Sequence, residues 1–431
     1  MKTLYAKQQE AHDFFLQHQL AGKATLDTSD VGTGKTIVGC TLAQSLNRPV
    51  AVMCPKAVIP VWQREFAEMG IEPLFVLNYE KLKTGGTKWV DKIGKNIYKW
   101  QLPEDTLVLI DESHKCAGAY TQNAQLMISL KQQNYALHMM SATAAEDPTE
   151  MRALGYVLEL HSLNKPANGL RSWYSWMMSN GCHRDDWGKW QLTRRDALVR
   201  LRVELYEHNG AKRLTVADFP DSFKLNRIFI EPIQFTHAAK IKAAYKDAGL
   251  TPEIVERYIE TGTVEDDKHM IVNMLRARQL AEALKVPDLV DMARDLMQAG
   301  QSVVLFVNFT DTLELLCGAL ACKRINGKQS IAERQDAIDT FQADEEHCIV
   351  VNSAAGGTGI SLHDINGNRP RVSLISPTFN AKEFAQLLGR IHRNGAKSDA
   401  LQKILVANDS IETIVMKSVQ ERITNLKTLH Q

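Results

Sequence analysis

The sequence predicts an α/β protein: two parallel-sheet lobes in tandem, with a helical insertion after the first. Three observations carry this. Short, nearly continuous apolar runs alternate with helical patterns through the first third of the 431 residues. The same alternation resumes from Val303. Between them, tryptophans and arginines cluster and the alternation stops. Strands apolar on both faces and joined by helical crossovers belong to a parallel sheet covered on both sides. The boundaries read from these changes are 1–150, 151–226 and 227–431.

In order, the candidate strands of the first lobe are Val50–Cys54, Leu74–Leu77, Leu107–Ile110 and Leu137–Met140, with helices at Lys35–Leu46 and Val61–Met69. The insertion holds Trp173, Trp176, Trp187 and Trp190 among Arg184, Lys189, Arg194 and Arg195. Aromatics at such spacing pack a small helical core against the parent lobe; stacking on exposed bases is the alternative. Glu253–Leu284 reads as helix with a polar break at Thr261–Lys268. Second-lobe strands are expected at Val303–Val307, Cys348–Val351, Val372–Ile375 and Ile404–Val406.

An apolar fraction of 44% with 23% charged residues is that of a globular protein. Lys+Arg (51) and Asp+Glu (50) nearly cancel, which excludes a globally basic nucleic-acid binder but not a local basic track. The seven cysteines form no C-x-x-C pair, so buried thiols in a reducing compartment are expected rather than zinc or disulfides. No apolar run is long enough for a bilayer and no signal-peptide core is present. An intracellular protein without membrane association is expected, cytoplasmic if prokaryotic or phage-encoded.

Ser29-Asp30-Val31-Gly32-Thr33-Gly34-Lys35-Thr36 reads as a phosphate-binding loop, with Ser29 where a glycine is usual. Gly32 and Gly34 let the backbone curl so that N–H groups, Thr33 included, point at phosphates, and the following helix directs its positive end there. Lys35 is suited to neutralise β/γ-phosphates, and Thr36 to hold Mg²⁺. Asp111 and Glu112 end an apolar strand: Asp111 suits Mg²⁺, and Glu112 suits activation of an attacking water. His114 is read as a coupling residue or a turn cap, and Ser141-Ala142-Thr143 as a hydrogen-bonding bridge after the next strand. Gln386-Leu387-Leu388-Gly389-Arg390-Ile391-His392-Arg393 places two arginines three apart, on one face if helical, matched to charge on a transferring phosphoryl group. Asn352–Leu362, with its Ala355-Gly356-Gly357-Thr358-Gly359 core, reads as a turn whose amides can meet phosphates.

This ordered set resembles superfamily 2 helicases and translocases, and is most similar to the Swi/Snf-like branch. Gln8-Gln9-Glu10-Ala11 resembles the adenine-reading glutamine motif, and Val52-Met53-Cys54-Pro55-Lys56 with Trp62 and Phe66 the first nucleic-acid motif. Asn78-Tyr79-Glu80, Phe306-Val307-Asn308, Gly327, Arg334, Phe341 and Ile411-Glu412 match later landmarks, and the insertion ending at Lys212-Arg213 and Phe219-Pro220 resembles the branch's helical protrusion. Ser141-Ala142-Thr143-Ala144, Ala354 and Ala396 depart from the branch pattern. The resemblance implies two RecA-like lobes sandwiching Mg²⁺-ATP. Gln8, Gly32, Thr33, Gly34, Lys35, Thr36, Asp111 and Gly359 would hold nucleotide or metal, and Lys35, Glu112, Gln386, Arg390 and Arg393 would act in catalysis. Lys56, Asn78, Tyr79, Asn308 and Ser353 would contact nucleic acid.

The activity so implied is ATP-dependent movement on, or remodelling of, DNA by a monomer, the DNA being duplex, forked or single-stranded. The rivals are an RNA helicase of the same superfamily, an ATP-switched nucleic-acid clamp, and, least supported, a P-loop metabolic kinase. With so little sequence outside the motifs, target choice is expected from the core, the insertion or a protein partner. The Asn366-Gly367 pair within His363–Arg371 signals a tight turn, read as a wedge-like hairpin or an ordinary surface loop.

Overall fold

The structure, a computed structural model, describes residues 3–118, 120–185, 188, 190–194, 196–261, 268–356 and 359–430. Trp187, Lys189, Arg195, Gly357, Thr358 and most of the break at 261–268 lie outside the described residues. The chain divides into two compact units, residues 1–219 with 424–431, and residues 220–423.

The first unit is built on a six-stranded sheet. Its strands are β1 (Thr25–Asp27), β2 (Val50–Cys54), β3 (Phe75–Asn78), β4 (Leu107–Asp111), β5 (Ala136–Met140) and β6 (Ala211–Lys212). They lie in the order β6-β1-β5-β4-β2-β3, and every described pairing is parallel. β2 is buried at every position and β4 up to Ile110, which is why both read as unbroken apolar runs. Asp27 and Asp111 are both in register with Met140, so three adjacent strands end at one level. At about 4.8 Å per strand spacing, the loops leaving β1 and β4 start about 10 Å apart, with that from β5 between them.

Residues 151–219 fall within this unit. They carry helices Arg152–Val157, Trp173–Ser179 and Asp196–Glu207, and return to the sheet as β6. Trp173 and Trp176 are each only 4% exposed and belong to the first unit's core. Trp190 is half-buried, stacked on Tyr174 at 5.7 Å, with Arg184 over its ring. Packing is thus the observed use of the described tryptophans of this segment.

The second unit has its own parallel six-stranded sheet: β7 (Asn226–Ile233), β8 (Ser302–Val307), β9 (Lys323–Ile325), β10 (Cys348–Asn352), β11 (Arg371–Ile375) and β12 (Ala400–Ala407), in the order β7-β12-β11-β8-β10-β9. β8 and β11 are buried throughout. The expected helix at 253–284 is two helices, Pro252–Thr261 and Lys268–Leu284. A buried ion pair, Lys285 with Glu412 at 2.5 Å, ties the start of Val286–Gln298 to that of the last helix; Glu412 also takes Tyr245 Oη and Ala407 N.

The segment 363–370 is not a hairpin. Asp364, 1% exposed, accepts the backbone N–H groups of Asn366 and Gly367, and the Asn366 amide donates to Gln342 O and Asp344 Oδ2. Gly367 takes φ +86°, so the turn signal is real, but it caps the N-terminal end of β11 without strand pairing. All cysteines are free thiols, and among the described residues no cluster is suited to a metal.

Candidate nucleotide site

In the first unit, the phosphate-loop lysine and the two motif carboxylates come together at the strand ends. Gly32 (φ +86°) and Gly34 (φ +97°) make the curl between β1 and α2 (Lys35–Leu46), the helix that follows α1 (Ala6–Leu20). A Cβ on Gly34 would stand 2.4 Å from Gln8 Nε2, so a side chain there would displace the Gln8 amide. That amide is anchored at both ends: Nε2 donates to Thr33 O at 2.8 Å, and Oε1 accepts from Tyr5 N at 3.0 Å. Among the described residues no side chain caps α2, leaving its first N–H groups to face the loop, as an anion site requires.

Lys35 Nζ donates to Ser29 O at 2.6 Å and Asp30 O at 3.0 Å. Burial pulls its pKa down, opposed by Asp27, Glu112, Asp111 and Asp30. Asp27, 1% exposed, accepts Ser29 N at 2.8 Å, and burial pushes its carboxyl up. Thr36 follows in the first turn of α2, half-buried.

Asp111 is held on several sides. Trp62 Nε1 donates to its Oδ2 at 2.9 Å, Glu112 N to its Oδ1 at 2.9 Å, and Tyr79 Oη to its backbone carbonyl at 2.6 Å. Burial, then the neighbouring Glu112 charge, lift its pKa to about 6 against the Trp62 hydrogen bond and Lys35. Glu112 adopts the left-handed region (φ +53°, ψ +49°), which costs a side-chain-bearing residue about 1 kcal/mol. His114 Nδ1 lies 3.2 Å from Glu112 Oε2 and 3.0 Å from Ser141 Oγ. Ser141 N in turn donates to Asp27 O at 3.0 Å, so the loops after β1, β4 and β5 form one hydrogen-bonded set. His114 therefore couples within the first unit. A carboxylate beside a lysine, a second aimed by a histidine and an uncapped helix N-terminus fit Mg²⁺-bound polyphosphate, and Asp111 and Thr36 are the side chains that could hold the metal.

The remaining expected contacts are placed unevenly. Lys56 is exposed at the start of a 3₁₀ turn, and Asn78 caps Tyr79–Lys83 by accepting Lys81 N. Tyr79 needs correcting: it is 0% exposed with its hydroxyl on Asp111, so it braces the acidic motif from behind. Ser353 is also 0% exposed, so neither its side chain nor its backbone is open to a nucleic acid. Asn308 braces its own lobe: N and Nδ2 both donate to Glu282 Oε1 at 2.8 Å, and Nδ2 to Pro377 O at 3.0 Å. Burial pushes the Glu282 carboxyl up.

The arginine motif also differs from expectation. Helix Ala381–Leu388 includes buried Gln386 but stops before Gly389, so Arg390 and Arg393 lie in the turns after it, not on a helix face. Arg390 is 2% exposed and donates to Ile360 O at 3.3 Å; half-buried Arg393 donates through Nε to Gly389 O at 3.1 Å. Gly359 takes φ +75° just before Ile360. Sequence reasoning missed Asp27, Trp62 as a ligand of Asp111, and Arg213, whose guanidinium donates to Thr28 O and pairs with Asp30. The signal for Asp27 was its place at the strand end before the loop; Trp62 and Arg213 were visible only as landmarks without a role.

Two parallel-sheet lobes, the first with a phosphate loop beside an Asp-Glu pair at strand carboxyl ends, define a tandem RecA-like nucleoside-triphosphate-driven motor. The second half matches the family described as helicase conserved C-terminal domain over residues 284–395. The chain is 30% identical to a protein of Acanthamoeba polyphaga mimivirus named as a candidate ATP-dependent RNA helicase, over 94% of this chain and 79% of that one. It is 30% identical to the chromatin remodeling factor mit1 of Schizosaccharomyces pombe over 40% of this chain, a match spanning 12% of that protein. S. cerevisiae Dbp5, solved bound to RNA and ADP BeF3, shares the fold with a TM-score of 0.54 at 13% identity, over 97% of this chain and 87% of that one. The chain belongs to the superfamily 2 helicases and translocases, with a Swi/Snf-like relationship, and is thus a nucleic-acid-dependent ATPase using ATP with Mg²⁺. Among the described residues no helix is long and apolar enough to cross a membrane.

Proposed function

We propose that this chain is an ATP-driven DNA translocase or helicase whose hydrolytic centre is organised by the first lobe. The observation that carries the reading is the hydrogen-bonded set joining the loops after β1, β4 and β5, with Lys35, Asp111 and Glu112 on it. Lys35 neutralises charge on the β/γ-phosphates. Glu112 orients the attacking water and takes its proton, giving ADP and phosphate. Asp111 and Thr36 would hold Mg²⁺, which would supply withdrawal of charge from the transferring group. Arg390 and Arg393 of the second lobe are the proposed partners of the transition-state charge. Hydrolysis then alternates the grip on a phosphate backbone without reading bases. Exposed Lys56 supports such a grip.

DNA is the proposed track because mit1 is named as a chromatin remodeling factor. The name of the mimivirus relative favours RNA as the second reading. The chain is proposed to act as a monomer, with a protein partner for targeting. Steady-state ATPase measured against duplex DNA, single-stranded DNA, forked DNA and RNA at matched salt tests this. Stimulation by duplex or forked DNA is expected; stimulation by RNA alone would move the assignment to the second reading.

A further inference from the structure

Asp30 stands inside the phosphate loop, one residue before Val31-Gly32-Thr33-Gly34. A carboxylate there lies among the groups meant to receive a polyphosphate, and like charges at short range in a partly desolvated site repel strongly. The structure shows what is done with it. Arg213 Nη2 pairs with Asp30 Oδ1, and Val216 N donates to Asp30 Oδ2 at 3.0 Å, so both oxygens point away from the curl into the segment after β6. The same segment holds the loop backbone: Arg213 Nη1 donates to Thr28 O at 2.9 Å, Asp30 N to Leu214 O at 2.8 Å, and Leu214 N to Ser29 Oγ at 2.9 Å. Ser29, where a glycine is usual, thus supplies the hydroxyl that the segment grips. The Arg213 side chain is 12% exposed and that of Asp30 26%, so the pair is shielded from solvent screening.

We propose that Arg213 is a positioning residue for ATP binding, which masks the Asp30 carboxylate and turns it out of the phosphate loop. The residues following the 151–210 segment thereby set the nucleotide affinity of a loop 183 positions before Arg213. This rests on the reading of residues 29–36 as the ATP site. It makes a charge-specific prediction that a purely structural clamp does not: removing the cation harms ATP binding only while the anion remains.

The test is the binding of a fluorescent ATP analogue with Mg²⁺ to the full chain, measured by titration beside thermal melting. Arg213→Ala is expected to weaken binding about tenfold or more, close to 1.4 kcal/mol for each factor of ten. Adding Asp30→Asn to Arg213→Ala is expected to bring the affinity back to within about threefold of wild type, and Asp30→Asn alone to bind at least as well as wild type. Should Arg213→Ala fail to fold, Arg213→Lys serves: it keeps the charge but not the two-pronged contact, and is expected to bind within about threefold. Unchanged affinity in Arg213→Ala, no recovery in the double variant, or loss of binding in Arg213→Lys would each overturn the masking role. Wild-type protein that binds no analogue, or Lys35→Ala that binds as well as wild type, would instead overturn the underlying ATP-site reading.

Discussion

The phosphate loop of the first unit and the arginine motif of the second stand at opposite ends of a helix: Lys35 begins one, and Arg390 and Arg393 follow the end of another. Around Lys35, charged side chains meet one another: Lys35 sits among Asp27, Asp30, Asp111 and Glu112, and Arg213 pairs with Asp30. Arg390 donates to the backbone carbonyl of Ile360 and Arg393 to that of Gly389, beyond the last turn of helix Ala381–Leu388. A charge balanced by other charges is fixed in place and in sign. A helix dipole favours an anion at the N-terminus that Lys35 begins and a cation beyond a C-terminus, where the arginines lie. The first arrangement suits the holding of nucleotide, and a contribution made when charge develops is the role proposed for the second.

The comparison can be broken most sharply by exchanging which property each region loses. Lys35→Ala is expected to remove both ATP binding and turnover, as read by analogue titration and phosphate release. Arg390→Ala is expected to cut turnover about 10³-fold while ATP affinity moves far less. Equal losses of affinity in the two variants would erase the distinction. In the second unit, Lys285→Met is expected to cost about 3–5 kcal/mol, because it leaves the Glu412 carboxylate buried without its cation. Calorimetry should show that loss in the second unit's transition, with the first unit's unchanged.

A smaller effect separates the lobes by pH. His138 is fully buried on β5, with Nδ1 2.8 Å from Thr25 Oγ1, and burial pushes its pKa down to about 3. The unfolded chain takes up that proton below the ordinary value of about 6.5, while the folded chain does not. Its contribution is therefore complete above about pH 6.5. It is lost as pH falls toward 3, at about 1.4 kcal/mol per pH unit. His138→Gln should flatten the acid loss of the first unit in melts between pH 7 and 4. It should leave in place the loss from His363, whose pKa burial lowers to about 4 in the second unit. The least change is expected from Asn366→Ala, which breaks contacts to Gln342 and Asp344 at the exposed turn: about 1 kcal/mol or less, with ATPase unaltered. A loss of nucleic-acid stimulation there would restore a role for that turn.

The sheets were legible wherever a strand is buried on both faces, because burial forces a continuous apolar run, as in Val50–Cys54 and Ser302–Val307. β1 and β6 were not, being three and two residues long. β7 escaped for another reason: it edges its sheet, with Phe229 50% and Ile228 44% exposed, so burial imposes no continuous run on it. The phosphate loop and acidic motif were legible because their chemistry is local. What was hidden depends on residues far apart in sequence, such as Tyr79 under Asp111 or Arg213 against Asp30. The spacing of the arginines puts them on one face only if the segment is helical, and the helix ends at Leu388.

The most direct test of the account is Glu112→Gln, followed by ATP-analogue titration and by phosphate release in the presence of stimulating nucleic acid. The account predicts near-native ATP affinity with turnover reduced about 10²–10⁴-fold, since the substitution removes the base and leaves the phosphate loop intact. Turnover at the wild-type rate would contradict it.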